Sequence, residues 1–183
     1  MLAIMKAFKR HKKILIGGVF VLAALAVGAF YFSPPRKGPN EAAGEPSDIV
    51  FADSSLKNKE AALAAAIREA SSANGRILKL VAADRVVGTG REARIGDTVT
   101  VDYIGTVKGG TEFENSYKTH EPLSFKVGAG DVIKGLEEGI VGMKEGGERI
   151  LIIPPELGYG STIVEPLPAN ATLIFSIKLN SIE

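Results

Sequence analysis

Catalysis by a protein usually starts from side chains that attack, ligate or move protons, and this chain holds few of them. It has no cysteine, and its only histidines in 183 residues are His11 and His120. The missing thiol excludes cysteine nucleophiles, disulfides and a lipid-modified cysteine as a tether. Two histidines so far apart give no basis for a two-histidine metal site, so neither a metal nor a cofactor is expected. A Ser–His–Asp constellation would have only His120 to build on, in a loop rich in charge. "GTGREA", residues 88 to 93, nominally fits a dinucleotide fingerprint, but "IGDTVTV" follows it as a strand where a helix is required. Glu137 and Glu138 are adjacent on a short helix and point in different directions, which makes a solvated face their expected role.

What remains is a set of aromatic and apolar residues at turns and strand ends, where core residues are not normally found. Phe113 follows a "KGG" turn, Tyr159 sits in "ELGYG" after a double proline, and Leu167 lies in "VEPLPAN". Each alone reads as ordinary packing. Together with "DVIKGLEEGI", residues 131 to 140, they form a constellation whose chemistry would be apolar binding rather than attack.

The elements that must position them follow from periodicity. "TVTVDYIGTV", residues 98 to 107, turns Val99, Val101 and Tyr103 to one face, and "TLIFSIKLNSI" turns Leu173, Phe175, Ile177 and Leu179 inward. "RILIIPP", "LSFKVG" and "RILKLVA" (residues 76 to 82) read as further strands. Single-faced alternation predicts a curved antiparallel sheet covered on one side. The one helix available to cover it is the glycine-rich stretch "GAGDVIKGLEEGIVGMKEGGE", with Asp131 as its N-cap and Gly135 and Gly139 inside it. An internal glycine costs a helix about 1 kcal/mol relative to alanine, and these glycines let the helix lie close to the sheet.

Ahead of this region the chain changes character. Residues 1–13 carry Lys6, Lys9, Arg10, Lys12 and Lys13, and residues 14–32, "ILIGGVFVLAALAVGAFYF", hold no charge. As a helix that run reaches about 28 Å, close to a bilayer's hydrocarbon thickness, so it is expected to be a transmembrane anchor, with a cleaved signal peptide as the rival reading. Basic residues before the span place the N-terminus in the cytoplasm and the rest outside, a single-pass protein of the cytoplasmic membrane. Beyond those five bases the chain is net acidic, and no basic surface points to nucleic acid. Residues 33–53 read as a flexible spacer. Residues 54–75 read as one alanine-rich helix with Ser54 or Ser55 as N-cap and Asn74-Gly75 as a stop. Its stripe of Leu56, Leu63, Ile67 and Ala70 is thin, so a spacer is the default expectation over a packed lid or a dimer contact.

Residues 76–183 resemble the FKBP-type peptidyl-prolyl cis/trans isomerases. The resemblance runs through "GDTVTVDYIGT", "GGTEFENS", "EPLSFKVGAGDVIKGLEEGIVGMKEGGERILIIPPELGYG" and "LPANATLIFSIKLNSIE", in order and with matching spacing. It implies an α+β fold, a twisted antiparallel sheet wrapped around one short helix, with a shallow apolar pocket between them. It further implies Tyr103, Phe113, Glu114, Ile133, Tyr159 and Phe175 as catalytic residues, with Leu123, Val132, Leu136 and Leu167 binding substrate. The Ile133 amide and the Tyr159 hydroxyl would bind ligand carbonyls.

The implied partners are proline-containing unfolded or exported polypeptides, with tacrolimus-like macrolides bound at reduced affinity. The departures from the family pattern are Glu114 for a common aspartate, Thr119 for a basic residue, Leu123 for a frequent aromatic and Leu136 for tryptophan. The loop from Tyr159 to Leu167 is also about one residue short. The implied activity is X–Pro isomerisation assisting the folding of exported proteins. The alternative is a tethered, low-activity peptide-binding chaperone of the same fold.

Overall fold

The computed structural model describes residues 49–52 and 58–183. The basic segment, the 14–32 span and residues 33–48 lie outside them, as do Ser54, Ser55 and Leu56. Among the described residues no helix is long and apolar enough to cross a membrane.

In chain order the elements are β1 (Ile49–Phe51), α1 (Lys59–Glu69), β2 (Leu80–Val86), β3 (Thr98–Val107), β4 (Glu112–Asn115), α2 (Ser116–Thr119), β5 (Leu123–Lys126), α3 (Lys134–Ile140), β6 (Glu148–Ile153), a 3-10 turn (Pro155–Leu157) and β7 (Leu173–Ile182). They build one seven-stranded sheet in the order β1-β2-β6-β7-β3-β4, with β5 also paired to β3. At its centre β3 and β7 are opposed from Val99–Ile182 to Val107–Leu173. Their inward residues Val99, Val101, Tyr103, Leu173, Phe175, Ile177 and Leu179 are all buried, as the alternation requires.

The sheet departs from the antiparallel, one-sided expectation at its other end. β1 pairs β2 in parallel, Ile49 opposite Leu80 and Phe51 opposite Ala82, so the sheet is mixed and a strand forms at the end of the expected spacer. α1 covers the second face there, and this corrects its reading as a spacer. Ala66 and Ala70, flanked by Leu63 and Ile67, pack on Val50, Val81 and Ile152. The stripe looked too thin because it is largely alanine, yet small side chains are what let a helix settle close against β-branched strand residues.

Boundaries also shift. The cap of α1 is Asn58, whose Oδ1 accepts the Ala61 N–H at 3.1 Å, and the helix ends at Ala70 rather than at Asn74-Gly75. A tight reversal follows, in which the Leu78 N–H donates to Ala70 O (2.8 Å) and Gly75 turns at φ 74°. β2 therefore starts at Leu80 rather than Arg76.

The glycine-rich helix α3 is shorter than its sequence pattern. Ile133, not Asp131, occupies the N-cap, with no side-chain cap bond, and its carbonyl accepts the N–H groups of Leu136 (3.0 Å) and Glu137 (3.3 Å). Val132 and Ile133 thus belong to the entering loop rather than the first turn. A methyl on Gly135 would overlap Ile153, and one on Gly139 would overlap Leu151, so these two glycines are the contact surface between α3 and β6. Glu137 is not simply solvated: its Oε1 accepts the Gly130 N–H at 2.5 Å, while Glu138 pairs with Lys134 at 3.2 Å.

Candidate functional site

Strands, the short helix and the loop before β7 deliver the predicted residues to this core. β3 brings Tyr103, β4 Phe113 and Glu114, β5 Leu123, the α3 entry and first turns Val132, Ile133 and Leu136, and β7 Phe175. Tyr159 follows the 3-10 turn and Leu167 precedes β7. All the apolar members belong to a single packed cluster, with Leu123 and Tyr159 half-buried at its margin.

The Phe175 ring is the hub. Phe113 meets it edge-on at 5.7 Å between centroids and 90° between planes, and Tyr103 lies at 6.0 Å and 46°. Such pairs contribute about 0.5–1.5 kcal/mol beyond the area they bury. Gly105 makes the arrangement possible: a Cβ there would lie 2.7 Å from Phe113 Cζ and 3.1 Å from Phe175 Cε1. The sequence carried that signal as a gap in the inward series Val99, Val101, Tyr103, and a glycine inside a strand often marks a close approach.

Glu114 is buried beside the rings, 2% exposed, and its Oε2 accepts the Tyr103 hydroxyl at 3.2 Å. Burial, then the charge of Glu114, raises the pKa of the Tyr103 phenol above its ordinary value, and the same two causes in the same order raise that of Tyr159. Both phenols therefore keep their protons at neutral pH and remain donors. Thr119, which stands where the resemblance has a basic residue, donates its hydroxyl to Asn115 O (3.4 Å) and Ser116 O (3.3 Å) at the start of α2.

Sequence reasoning missed Ser116. The edge of β3 pairs β5 through Val101 and β4 from Ile104 onward, leaving a notch between them. Ser116 fills it: its Oγ accepts the Tyr103 N–H at 2.9 Å and donates to Asp102 Oδ1 at 2.8 Å. The strand that carries Phe113 and Glu114 is thereby fixed against Tyr103. No periodic pattern marks such a residue. The nearest clue is Asn115, which caps α2 by accepting the Tyr117 N–H at 3.0 Å.

Among the described residues no cluster of three His, Asp or Glu is placed to hold a metal ion. A cavity of about 420 Å³ lies under α1, lined by Ala52, Lys59, Leu63, Ala83, Arg85 and Ile150, away from all the aromatic side chains of the site. The aromatic cluster offers a dry apolar surface with the Tyr159 phenol at its margin. Such a surface would favour a less dipolar species over a more dipolar one, because it cannot solvate charge separation as water does.

A sheet packed on a short helix, with the candidate aromatic and apolar residues gathered in its buried core, is the arrangement that the resemblance implies. A family model described as FKBP-type peptidyl-prolyl cis-trans isomerase matches residues 89–180. FK506-binding protein 2 of Aspergillus fumigatus is 50% identical over 99 residues, 54% of this chain and 74% of that protein. FK506-binding protein 4 of Gibberella zeae is 51% identical over 100 residues, 55% of this chain and 20% of that protein. The crystal structure of FkpA from Escherichia coli superposes with a TM-score of 0.55 at 36% identity, covering 68% of this chain and 59% of that one. The chain belongs to the FKBP-type peptidyl-prolyl cis-trans isomerase family. It spans about a fifth of the length of the FK506-binding protein 4 relatives it matches.

Proposed function

We propose that this chain catalyses cis/trans rotation about X–Pro bonds. The observation that carries the reading is the aromatic cluster, in which Tyr103, Phe113 and Phe175 pack with Ile133, Leu136 and Leu167, with the protonated Tyr159 phenol at its margin. Amide rotation faces a barrier of about 18–20 kcal/mol, and its summit is a twisted amide that has lost resonance and much of its dipole. A proline ring seated over Leu136 would place that amide where water is excluded. The twisted state gains relative to the planar one, and each ~1.4 kcal/mol of that difference is worth tenfold in rate. The Ile133 N–H and the Tyr159 hydroxyl are the proposed donors to the client's carbonyl oxygens.

The proposed clients are proline-containing exported polypeptides, met at the outer face of the cytoplasmic membrane. The basic 1–13 segment and the uncharged 14–32 run support that placement, with residues 33–48 giving reach. Tacrolimus-like macrolides are proposed as weaker ligands, because Glu114 and Leu136 change the size of two groups at the pocket.

The test is nuclear magnetic resonance exchange on a proline-containing peptide with the full chain, beside a Phe113→Ala, Tyr159→Ala double variant. Acceleration by the parent and its loss in a folded variant support the isomerase. A folded parent that suppresses aggregation of an unfolded client without accelerating exchange replaces it with a binding module. A reporter fused after Glu183 tests topology, and a cytoplasmic signal overturns the placement.

A further inference from the structure

Arg149 is a cation almost wholly removed from water, 4% exposed, on the β6 face that meets α3. That face reads the helix from end to end: Ile153 lies against Gly135, Leu151 against Gly139, and Arg149 reaches the carboxyl terminus. Its Nη1 donates to Gly139 O at 2.8 Å and to Val141 O at 3.2 Å. Helix-end carbonyls lack intrahelical donors, and a cation there also opposes the negative end of the helix dipole. The other edge of the guanidinium forks onto Asp84 of β2, Nε to Oδ1 at 2.7 Å and Nη2 to Oδ2 at 3.1 Å. The Phe51 ring of β1 stacks 5.5 Å from its centre.

A buried charge contributes little net stability against an apolar substitute, so its use lies in specifying geometry. Here the geometry specified is the placement of α3 along β6. The helix has seven residues, and Ile153 and Leu151 fit against its two inward glycines and set how close it lies to the strand. The directional bonds from Arg149 fix the orientation of its carboxyl end.

We infer that Arg149 is a positioning residue: with Asp84 it clamps the carboxyl end of α3 and so sets Ile133 and Leu136 at the other end for the bound proline. Phe51 touches the clamp from β1 through its ring face. The inference rests on the isomerase reading for its effect on rate, though not for its effect on geometry.

Lysine cannot reproduce the fork, because one ammonium is a point charge where Arg149 uses three nitrogens. The experiment compares the full-length parent with Arg149→Lys, and with Asp84→Asn as a gentler variant should the first not fold. It reads kcat, KM and the backbone amide resonances of Ile133 and Leu136, under conditions where circular dichroism shows each chain folded. The expected result is a drop in kcat/KM of about tenfold or more, carried by kcat, with both resonances displaced. Folded variants with unchanged kcat and unmoved resonances overturn the clamp, even if they melt earlier. A parent without isomerase activity sinks the functional reading instead, and the clamp is then judged by the Ile133 and Leu136 resonances alone.

Discussion

The Tyr103 hydroxyl donates to Glu114 Oε2 at 3.2 Å, and both side chains are buried. This bond crosses from β3 to β4, so it ties the strand that carries Phe113 to the strand that carries Gly105 and Tyr103. It also hands a buried carboxylate oxygen a donor that water cannot supply there.

Removing that donor alone should be costly. Tyr103→Phe keeps the ring and its contact with Phe175 and takes away only the hydroxyl. The expected loss is about 1–3 kcal/mol, the cost of withdrawing a hydrogen bond from a buried polar group. The shift in the urea midpoint at unchanged slope measures it. A midpoint within error of the parent would mean that Glu114 is fully satisfied without Tyr103.

The same pair predicts an alkaline weakness. An unfolded tyrosine ionises near its ordinary value of 10.0, whereas burial and Glu114 hold Tyr103 and Tyr159 above it in the folded chain. Above pH 10 the unfolded chain therefore binds fewer protons than the folded one, and stability falls as pH rises. Below that pH this contribution is fully present. Chemical denaturation from pH 8 to 11 should show the decline, and a Tyr103→Phe, Tyr159→Phe chain should show a shallower one.

α1 supplies a third expectation. Ala66 is 4% exposed against the sheet face opposite α3. Ala66→Leu should overpack that contact and lower stability by about 1–3 kcal/mol. Because the aromatic cluster lies on the other face, the activity of the folded chain should be unchanged. Thermal unfolding combined with exchange rates at low temperature separates the two effects, and an equal fall in both would place α1 within the working unit of the pocket.

These elements mark the line between what was legible in the sequence and what was not. The period-two runs of β3 and β7 carried their own register, since a one-residue slip would expose Phe175 and Tyr103. The resemblance implied Tyr103, Phe113, Leu136, Leu167 and Phe175 as pocket residues, and the structure packs them within one core cluster. The packing of α1 was not legible, because alanine contacts leave almost no hydrophobic signal. The parallel pairing of β1 was hidden in three residues beside a spacer-like stretch. Ser116 and Arg149 escaped for a different reason: their partners lie on strands and helices whose adjacency only the fold reveals.

Gly105 combines both kinds of information. Its sequence position demands an inward side chain, and its absence of one is what lets the Phe113 ring stand edge-on to Phe175. Gly105→Ala adds one methyl at a point 2.7 Å from Phe113 Cζ, closer than side chains pack, so a ring has to move. β3 is flanked on both sides at this residue, by Phe175 of β7 and Glu114 of β4, so the backbone has little room to retreat. The strain therefore passes to Phe113, which turns toward the space the proline ring would occupy. Stability should fall by about 1–3 kcal/mol through overpacking. KM for a proline peptide should rise along with it, because the pocket itself is narrowed. A Gly105→Ala, Phe113→Leu chain restores the volume and should regain stability while remaining impaired in rate, since the aromatic wall is gone. If Gly105→Ala binds and turns over the peptide as the parent does, the Phe113 ring does not bound the proline site and the placement of the pocket at these residues is wrong.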